Sequence, residues 1–447
     1  MGKNLKILLL IILFHLLLVS RLNFFPYPEL FIYPYLTNIG MTPYSEILDQ
    51  HFPGLMFLPI NLGTLGINSP QSMFILHLFI IAITHVLIFF ASRKLIGKDT
   101  LYANIFYLLW NPYLEGNVLW IDSFIPIFTI SSYLALSKSK TKLGGFLLGV
   151  GMLLKQIIIP LAGLVFIYYL IKKEFKNAFK FIEWFSIPGI LMVLFYLKQG
   201  NFSDFFYWTV TYNTTTFSEF GRKYATLVEL SKFFIIFSPA FVASGYLFFR
   251  KEKDKLIAIF FFTSLLFAYA RFDFIHLQPS LPVASILFAY IFSLFPDKLS
   301  KNIIFVYVLL VSINLGVYHQ ALKSREVKFM GDLEYSLSAE VRKYANEGDP
   351  IFTLGGIHNI YYLTNTRPSG NVFVFQFPWF MRETESRVLS GLISDPPKVV
   401  LRDKSASIDK MSINQYMPQL NDYVEKNYYL VAKIQGIDIL IPNESSN

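Results

Sequence analysis

Charge in this chain is confined to gaps. Between residues 5 and 325, long apolar runs follow one another and Lys and Arg collect in the short stretches that separate them. Few folds accommodate that pattern. About twenty apolar residues is the length of helix that crosses the hydrocarbon core of a bilayer. In lipid, each segment must satisfy its own backbone N–H and C=O groups, which selects helices. Candidate spans begin near Leu5, Ser72, Thr100, Ser123, Lys142, Ile158, Phe179, Leu227, Lys255, His276 and Asn302. At roughly twenty residues a crossing this gives about eleven helices, set to within two because two pairs of runs are nearly continuous.

Composition agrees. The 447 residues are 54% hydrophobic, 18% aromatic and only 15% charged, against roughly 25% charged in a soluble domain. Mean hydropathy is +0.47. A soluble protein of this size has nowhere to hide that much apolar surface, so the lipid bilayer is its expected solvent. The net charge of +9 would suit a nucleic-acid partner if it were gathered in one patch. Its division into small clusters fits the positive-inside rule instead, and no nucleic acid is expected. The chain has no cysteine, which excludes disulfides and thiolate metal sites. The first run, preceded by Lys3 and Lys6, lacks a small-residue cleavage site and reads as a retained signal anchor.

The loops give an orientation. One set carries Lys3/Lys6, Arg93/Lys94/Lys98, Lys138/Lys140/Lys142, Lys172/Lys173/Lys176/Lys180, Arg250/Lys251/Lys253/Lys255 and Lys298/Lys301. The other set, residues 27–71, 111–122, 200–226 and 271–273, is acidic, aromatic or polar. The two sets alternate. The rule then places the amino terminus in the cytoplasm of a multi-pass protein of the cell (plasma) membrane, with the acidic loops outside. An odd number of spans leaves the carboxyl end outside too.

Near Glu326 the character changes, as charged residues become frequent and apolar runs shorten. Segments 351–354, 360–363, 372–375 and 399–401 read as strands, and 428–441 as a hairpin turning at Gln435-Gly436. Segments 334–346, 381–394 and 413–427 read as amphipathic helices. The expected architecture is a polytopic all-α membrane domain, 1–325, whose first outer loop is 22–71, followed by a small extracytoplasmic α/β domain, 326–447.

Four outer features can carry chemistry. The first is Pro43-Tyr44-Ser45-Glu46-Ile47-Leu48-Asp49-Gln50-His51-Phe52-Pro53-Gly54, which lies in a stretch free of Lys and Arg from Asn23 to Ser92. If 44–50 is helical, Glu46 and Asp49 share a face. Such a pair can act as general base, hold sugar hydroxyls or bind a cation. The bland reading is a polar interfacial helix. The second is the loop with Glu115 and Asp122, where Asp122 also suits a helix N-cap. The third is Lys155-Gln156 amid Leu and Ile. A Lys at membrane depth needs a partner, either a lipid phosphate or one of these acids, unless it merely snorkels to the interface. The fourth is Arg271 with His276, suited to a departing phosphate; its bland reading is an Arg271–Asp273 surface pair. Arg222-Lys223 is a weaker feature of the same kind. His15, His77 and His85 lie within spans and read as buried, hydrogen-bonded histidines. No Gly-x-x-x-x-Gly-Lys-Ser/Thr loop, His-Glu-x-x-His or Gly-x-Ser-x-Gly is present, which argues against ATP-driven transport, a zinc protease and a serine hydrolase.

The first span, followed by Gly40-Met41-Thr42-Pro43-Tyr44-Ser45-Glu46 and Pro53-Gly54, resembles the GT-C superfamily of membrane glycosyltransferases. The resemblance is to its bacterial branch similar to protein O-mannosyltransferases and aminoarabinose transferases. Lys155-Gln156, the 271–276 segment, Gly355-Gly356 and Ile360-Tyr361-Tyr362-Leu363-Thr364-Asn365 fit the same order. The resemblance implies a polyprenyl-phosphate sugar donor, a lipid, glycan or protein acceptor at the outer face, and inversion with a carboxylate of the first loop as base. That branch usually has Asp two residues after the Tyr; this chain has Glu46, so Glu46 or Asp49 takes the role. Tyr44, His51, Glu115, Asp122, Lys155, Gln156, Arg271 and His276 are then candidates for substrate binding. Glu115 and Asp122 offer oxygens to sugar hydroxyls or a divalent cation, but no cofactor or metal ligand set is assigned. The competing readings are a transporter or flippase, which would call for two related halves and midplane charge, and a polymerase or ligase of lipid-linked glycans.

Overall fold

Helices fill most of the chain in the computed structural model, which describes residues 2–97, 100–249, 255–323 and 326–443. Lys98, Arg250, Lys251 and Lys253 of the basic loops lie outside the described residues. The chain gathers into two compact units. The first comprises Met1–Phe25, Gln71–Phe195 and Arg222–Glu326. The second comprises Pro26–Pro70, Tyr196–Gly221 and Val327–Asn447, so residues 26–70 cluster with the carboxyl-terminal chain.

The first unit is built of apolar helices that begin near the expected starts, except that the span expected from His276 begins at Leu281, after the 3₁₀ turn Phe274–Leu277. Gly2–Val19, Pro70–Ile96, Phe175–Gln199, Leu227–Phe249 and Lys301–Gln320 are long and apolar enough to cross a membrane. Leu101–Trp110, Ile121–Leu136, Thr141–Leu154, Ile158–Ile171, Lys255–Ala268 and Leu281–Ser293 are apolar but shorter. Gly2–Val19 shows how a membrane helix inverts the soluble pattern. It is apolar all round, yet only Leu8, Ile12, His15 and Val19 are buried. Their spacing marks one packed stripe, while Leu10, Leu13, Phe14 and Leu17 remain exposed.

Two devices join these helices. The first is close approach. Gly145 and Gly149, one turn apart on Thr141–Leu154, face the carbonyls of Phe181 and Phe185, with Pro188 behind Gly149. A Cβ at either position would collide with that backbone. Small residues four apart let helices touch where lipid offers no hydrophobic drive. The second is a buried histidine chain. His15 Nδ1 lies 2.8 Å from His85 Nε2, and His15 Nε2 lies 3.1 Å from Asn111 Oδ1. Asn104 Nδ2 reaches His85 Nδ1 at 3.1 Å. His77 Nε2 donates to the Gly116 carbonyl at 2.8 Å. Buried polar groups in lipid must pair, and these three histidines do.

The second unit contains a five-stranded mixed sheet. Its order is Tyr428–Ile434, Ile437–Pro442, Val399–Arg402, Pro350–Leu354, Arg367–Pro368. The inner strands Pro350–Leu354 and Val399–Arg402 run parallel and are wholly buried. The hairpin turns at Gln435-Gly436, whose φ values of 47° and 94° fit a primed turn. Three expectations fail here. Residues 360–363 lie in the helix Asn359–Thr364 rather than a strand. The strands on either side are parallel, and a parallel connection needs a crossover. The expected helix 413–427 splits into Ile413–Tyr416 and Pro418–Asn427, because Pro418 excludes Met417 from helical backbone (φ −137°). Residues 44–50 form no helix. Tyr44 takes φ 65°, and Ile47–Leu48 pairs in parallel with Phe373–Val374. Glu46 and Asp49 therefore share no helix face.

Gly145→Val and Gly149→Val should each lower stability by about 1–3 kcal/mol, the cost of overpacking a close contact. Thermal unfolding of the detergent-solubilised protein measures this. Gly163→Val, where the added Cβ meets nothing within 4 Å, is the control and should leave the midpoint unchanged.

Candidate functional site

In the first unit the polar centre starts from a broken helix. Thr141–Leu154 and Ile158–Ile171 are interrupted at Lys155, whose backbone is extended (φ −155°, ψ 122°). The break lets the side chain leave the helical path. Its Nζ donates to both carboxylate oxygens of Asp122, at 2.9 and 2.7 Å. Asp122 is fully buried and Lys155 nearly so, with side-chain exposures of 0% and 12%. The Lys155 ammonium also sits 5.4 Å from the Phe267 ring centre. His276, in the short 3₁₀ turn Phe274–Leu277, brings Nδ1 to 3.2 Å from Asp122 Oδ2 and 3.4 Å from Lys155 Nζ. The partner of the membrane-depth lysine is therefore an acid of the chain itself. Asp122 does not cap its helix. It sits one residue inside Ile121–Leu136, and the Ser123 hydroxyl receives the Trp120 N–H instead, at 3.3 Å.

Gln278 locks this centre to the neighbouring loop. Its Oε1 accepts from Ser123 Oγ at 2.8 Å, and its Nε2 donates to the Glu115 carbonyl at 2.6 Å. Glu115 occupies a left-handed turn (φ 56°). Burial, and next the Asp273 carboxylate, push its carboxyl up from 4.5 to about 7, with Lys223 opposing. Arg271 pairs with Lys223 through a parallel backbone bridge, Phe272 N–H donating to the Lys223 carbonyl at 2.8 Å. Lys223 Nζ is 3.9 Å from Asp273, and Arg222 stacks 5.3 Å from the Tyr269 ring centre. The structure thus brings the Arg222-Lys223 and Arg271 features together.

In the second unit Asp49 is enclosed. Tyr33 donates its hydroxyl to Oδ2 at 2.7 Å, and the His51 N–H donates to Oδ1 at 2.7 Å. His51 Nδ1 is a further 2.9 Å from Oδ1. Tyr44 is fully buried, packs on Phe57, Tyr196 and Phe205, and gives its hydroxyl to the His51 carbonyl at 2.8 Å. Glu46 is different. The Thr42 N–H donates to its Oε2 at 2.6 Å, and the residue lines a cavity of ≈ 520 Å³ with Met41, Arg367, Asn371 and Asp395. Arg367 and Asp395 form an ion pair across that cavity at 2.5 Å. Gln156 is half-buried beside the break at Lys155. Among the described residues no group of three or more His, Asp or Glu is arranged to hold a metal ion.

Neither a protein-family profile nor a curated protein matches this chain. Solved structures do. ArnT from Cupriavidus metallidurans bound to undecaprenyl phosphate superposes with a TM-score of 0.62 at 9% identity, covering 99% of this chain and 98% of that one. Its apo form gives 0.59 at 10% identity over 99% and 98%. The mycobacterial arabinofuranosyltransferase AftD gives 0.52 at 10% identity, over 98% of this chain and 41% of that one. The chain has the GT-C fold. The likeness of fold runs over nearly the whole chain, and the apolar helices are those of a multi-pass membrane protein.

Two residues escaped the sequence reading. Glu29 is 6% exposed, and burial, opposed by a main-chain hydrogen bond and reinforced by the Asp49 carboxylate, raises its carboxyl to about 8. A lone acid inside Phe24-Phe25-Pro26-Tyr27-Pro28-Glu29-Leu30-Phe31 was the available signal. Gln278 gave none beyond its nearness to His276.

Two measurements test these centres. Lys155→Ala should destabilise the protein by about 3–5 kcal/mol, since it strands a buried carboxylate. Asp122→Asn combined with Lys155→Gln should recover most of that loss in thermal unfolding. For Glu115 the folded value of about 7 lies above the unfolded 4.5, so the stabilising contribution is complete below 4.5 and is lost as pH rises through 7. Across that window Glu115→Gln should flatten the fall in unfolding midpoint seen for the wild type.

Proposed function

We propose that this chain is an integral membrane glycosyltransferase. It moves a hexosyl or pentosyl unit from a polyprenyl-phosphate sugar to a lipid, glycan or protein acceptor at the outer face of the cell (plasma) membrane, with inversion. The observation that carries the reading is the fold likeness, over 99% of the chain, to an ArnT bound to undecaprenyl phosphate. The eleven apolar helices are taken as eleven spans, with the amino terminus cytoplasmic and the carboxyl-terminal α/β domain extracytoplasmic.

The chemistry needs a base for the acceptor proton and positive charge for the departing phosphate. Glu46 is the base. The Thr42 amide holds one carboxylate oxygen, which orients the group and directs the other to an acceptor hydroxyl in the ≈ 520 Å³ cavity. Asp49 braces the loop, since Tyr33 and His51 occupy both its oxygens. Tyr44 and His51 act through the same brace. Lys155 and Arg271 supply positive charge to the phosphate, and His276 an imidazole N–H. Lys155 gives two of its N–H groups to Asp122 and also neighbours His276 Nδ1, so a phosphate oxygen would have to share its ammonium with these partners. Glu115 and Gln156 are assigned to sugar hydroxyls, while Asp122 holds Lys155 in place.

The test is transfer by purified protein from synthetic polyprenyl-phosphate sugars. Glu46→Ala should lower the rate by about 10²–10⁴-fold, the usual worth of a general base. Glu46→Asp should retain part of the rate. Asp49→Ala should lower stability more than it lowers the rate per folded molecule. If Glu46→Ala transfers as well as wild type while Asp49→Ala does not, Asp49 is the base; if both match wild type, the first loop supplies none.

A further inference from the structure

An apolar groove lies in the first unit, apart from the Asp122–Lys155–His276 centre. Helices Gly2–Val19, Leu101–Trp110 and Asp297–Leu322 enclose a groove of ≈ 600 Å³. That falls within the ~300–1,000 Å³ of sites that hold one small ligand. Its walls are Leu10, Phe14, Leu17, Leu108 and Leu315. Leu108 and Leu315 are buried and form its floor, packed with Leu109 and Val311. Leu10, Phe14 and Leu17 are exposed along its flank, so it is open sideways, toward lipid.

One end of the groove is polar. Arg21, His319 and Gln320 line it there. An isolated antiparallel bridge from Leu22 to Lys323 fixes the end of the first helix beside the end of the last, which adds the exposed Lys323 to the cluster. Arg21 and His319 thus line the polar end of an apolar trough, and the backbone bridge brings the exposed Lys323 beside Leu22 next to it. No residue of the groove belongs to the Asp122–Lys155–His276 centre.

We propose that this groove is a binding site for an anionic glycerophospholipid of the bilayer. An acyl chain lies on Leu108 and Leu315, and the phosphate meets Arg21, Lys323 and His319. The apolar walls match the chain, and the cations at one end complement the headgroup. A trough open to the bilayer fills by mass action with the abundant membrane lipids. Its cationic end selects the anionic ones among them. The proposal does not depend on the transfer reaction, and its readout is lipid binding.

Gly316 provides a clean probe. It lines the groove, and a Cβ added there meets nothing within 4 Å. Gly316→Trp therefore fills the trough without pressing on the fold. The full-length protein is purified in detergent, titrated with phosphatidylglycerol or phosphatidylcholine, and examined by native mass spectrometry. One phosphatidylglycerol per chain should be retained in preference to phosphatidylcholine. Arg21→Gln should weaken retention about fivefold, the worth of one cation against an anionic lipid. Gly316→Trp should abolish it, while Gly163→Trp, in open space on Ile158–Ile171, should not. Matching unfolding midpoints for the variants exclude loss of fold. Equal retention of the two phospholipids overturns the proposal. So does undiminished binding in Gly316→Trp, or preferential saturation by a polyprenyl phosphate.

Discussion

The Lys155–Asp122 pair is the constraint on which the first unit depends. An ion pair removed from water gains little net stability, because desolvation consumes most of the Coulomb attraction. Its effect is geometric. It holds together the first turn of Ile121–Leu136, the break between Thr141–Leu154 and Ile158–Ile171, and the turn Phe274–Leu277. The break at Lys155 leaves backbone groups outside regular helix, and a membrane protein tolerates that only where protein surrounds them. Gln278 extends the restraint by joining Ser123 to the carbonyls of Leu114 and Glu115. A helix start, a helix break and a 3₁₀ turn thus meet at one neutralised pair.

The second unit holds its acidic loop by backbone pairing. Ile47–Leu48 joins Phe373–Val374, and the Glu46 carbonyl accepts the Phe373 N–H at 2.8 Å. Two asparagines complete the anchorage, Asn201 donating to the Pro43 carbonyl and Asn213 to the Gln50 carbonyl, both at 2.9 Å. Segments far apart in sequence therefore fix the loop from three sides. The base proposed for this loop would need that rigidity, since a misplaced base loses rate steeply.

Much of the helical layout was legible because lipid imposes one rule on every apolar run. The three buried histidines were legible for the same reason: a polar ring in a span must find a partner, and His15, His77 and His85 do. The need of Lys155 for an anion could be read, but its partner could not. Asp122 is 33 residues away and was equally suited to capping its own helix. Local reading failed where long-range pairing decided the backbone. Residues 44–50 carry helical spacing, yet their hydrogen bonds go to a strand more than three hundred residues later. Residues 360–363 have strand-like composition, yet the parallel pairing of Pro350–Leu354 with Arg367–Pro368 requires a helix there.

The choice between the two acids of the first loop turns on what already occupies their oxygens. Asp49 accepts from Tyr33 on one oxygen and from His51 on the other, and only 2% of its surface is exposed. Glu29 lies near the same group and, with its carboxyl at about 8, carries its own proton at neutral pH. It therefore adds no second negative charge beside Asp49, and the enclosure remains electrically tolerable without a cation. Glu46 has one oxygen fixed by a main-chain amide and a cavity in front of it. Asp49 is held where it ties Tyr33 and His51 to the loop. Glu46 is the one of the two that lines a cavity.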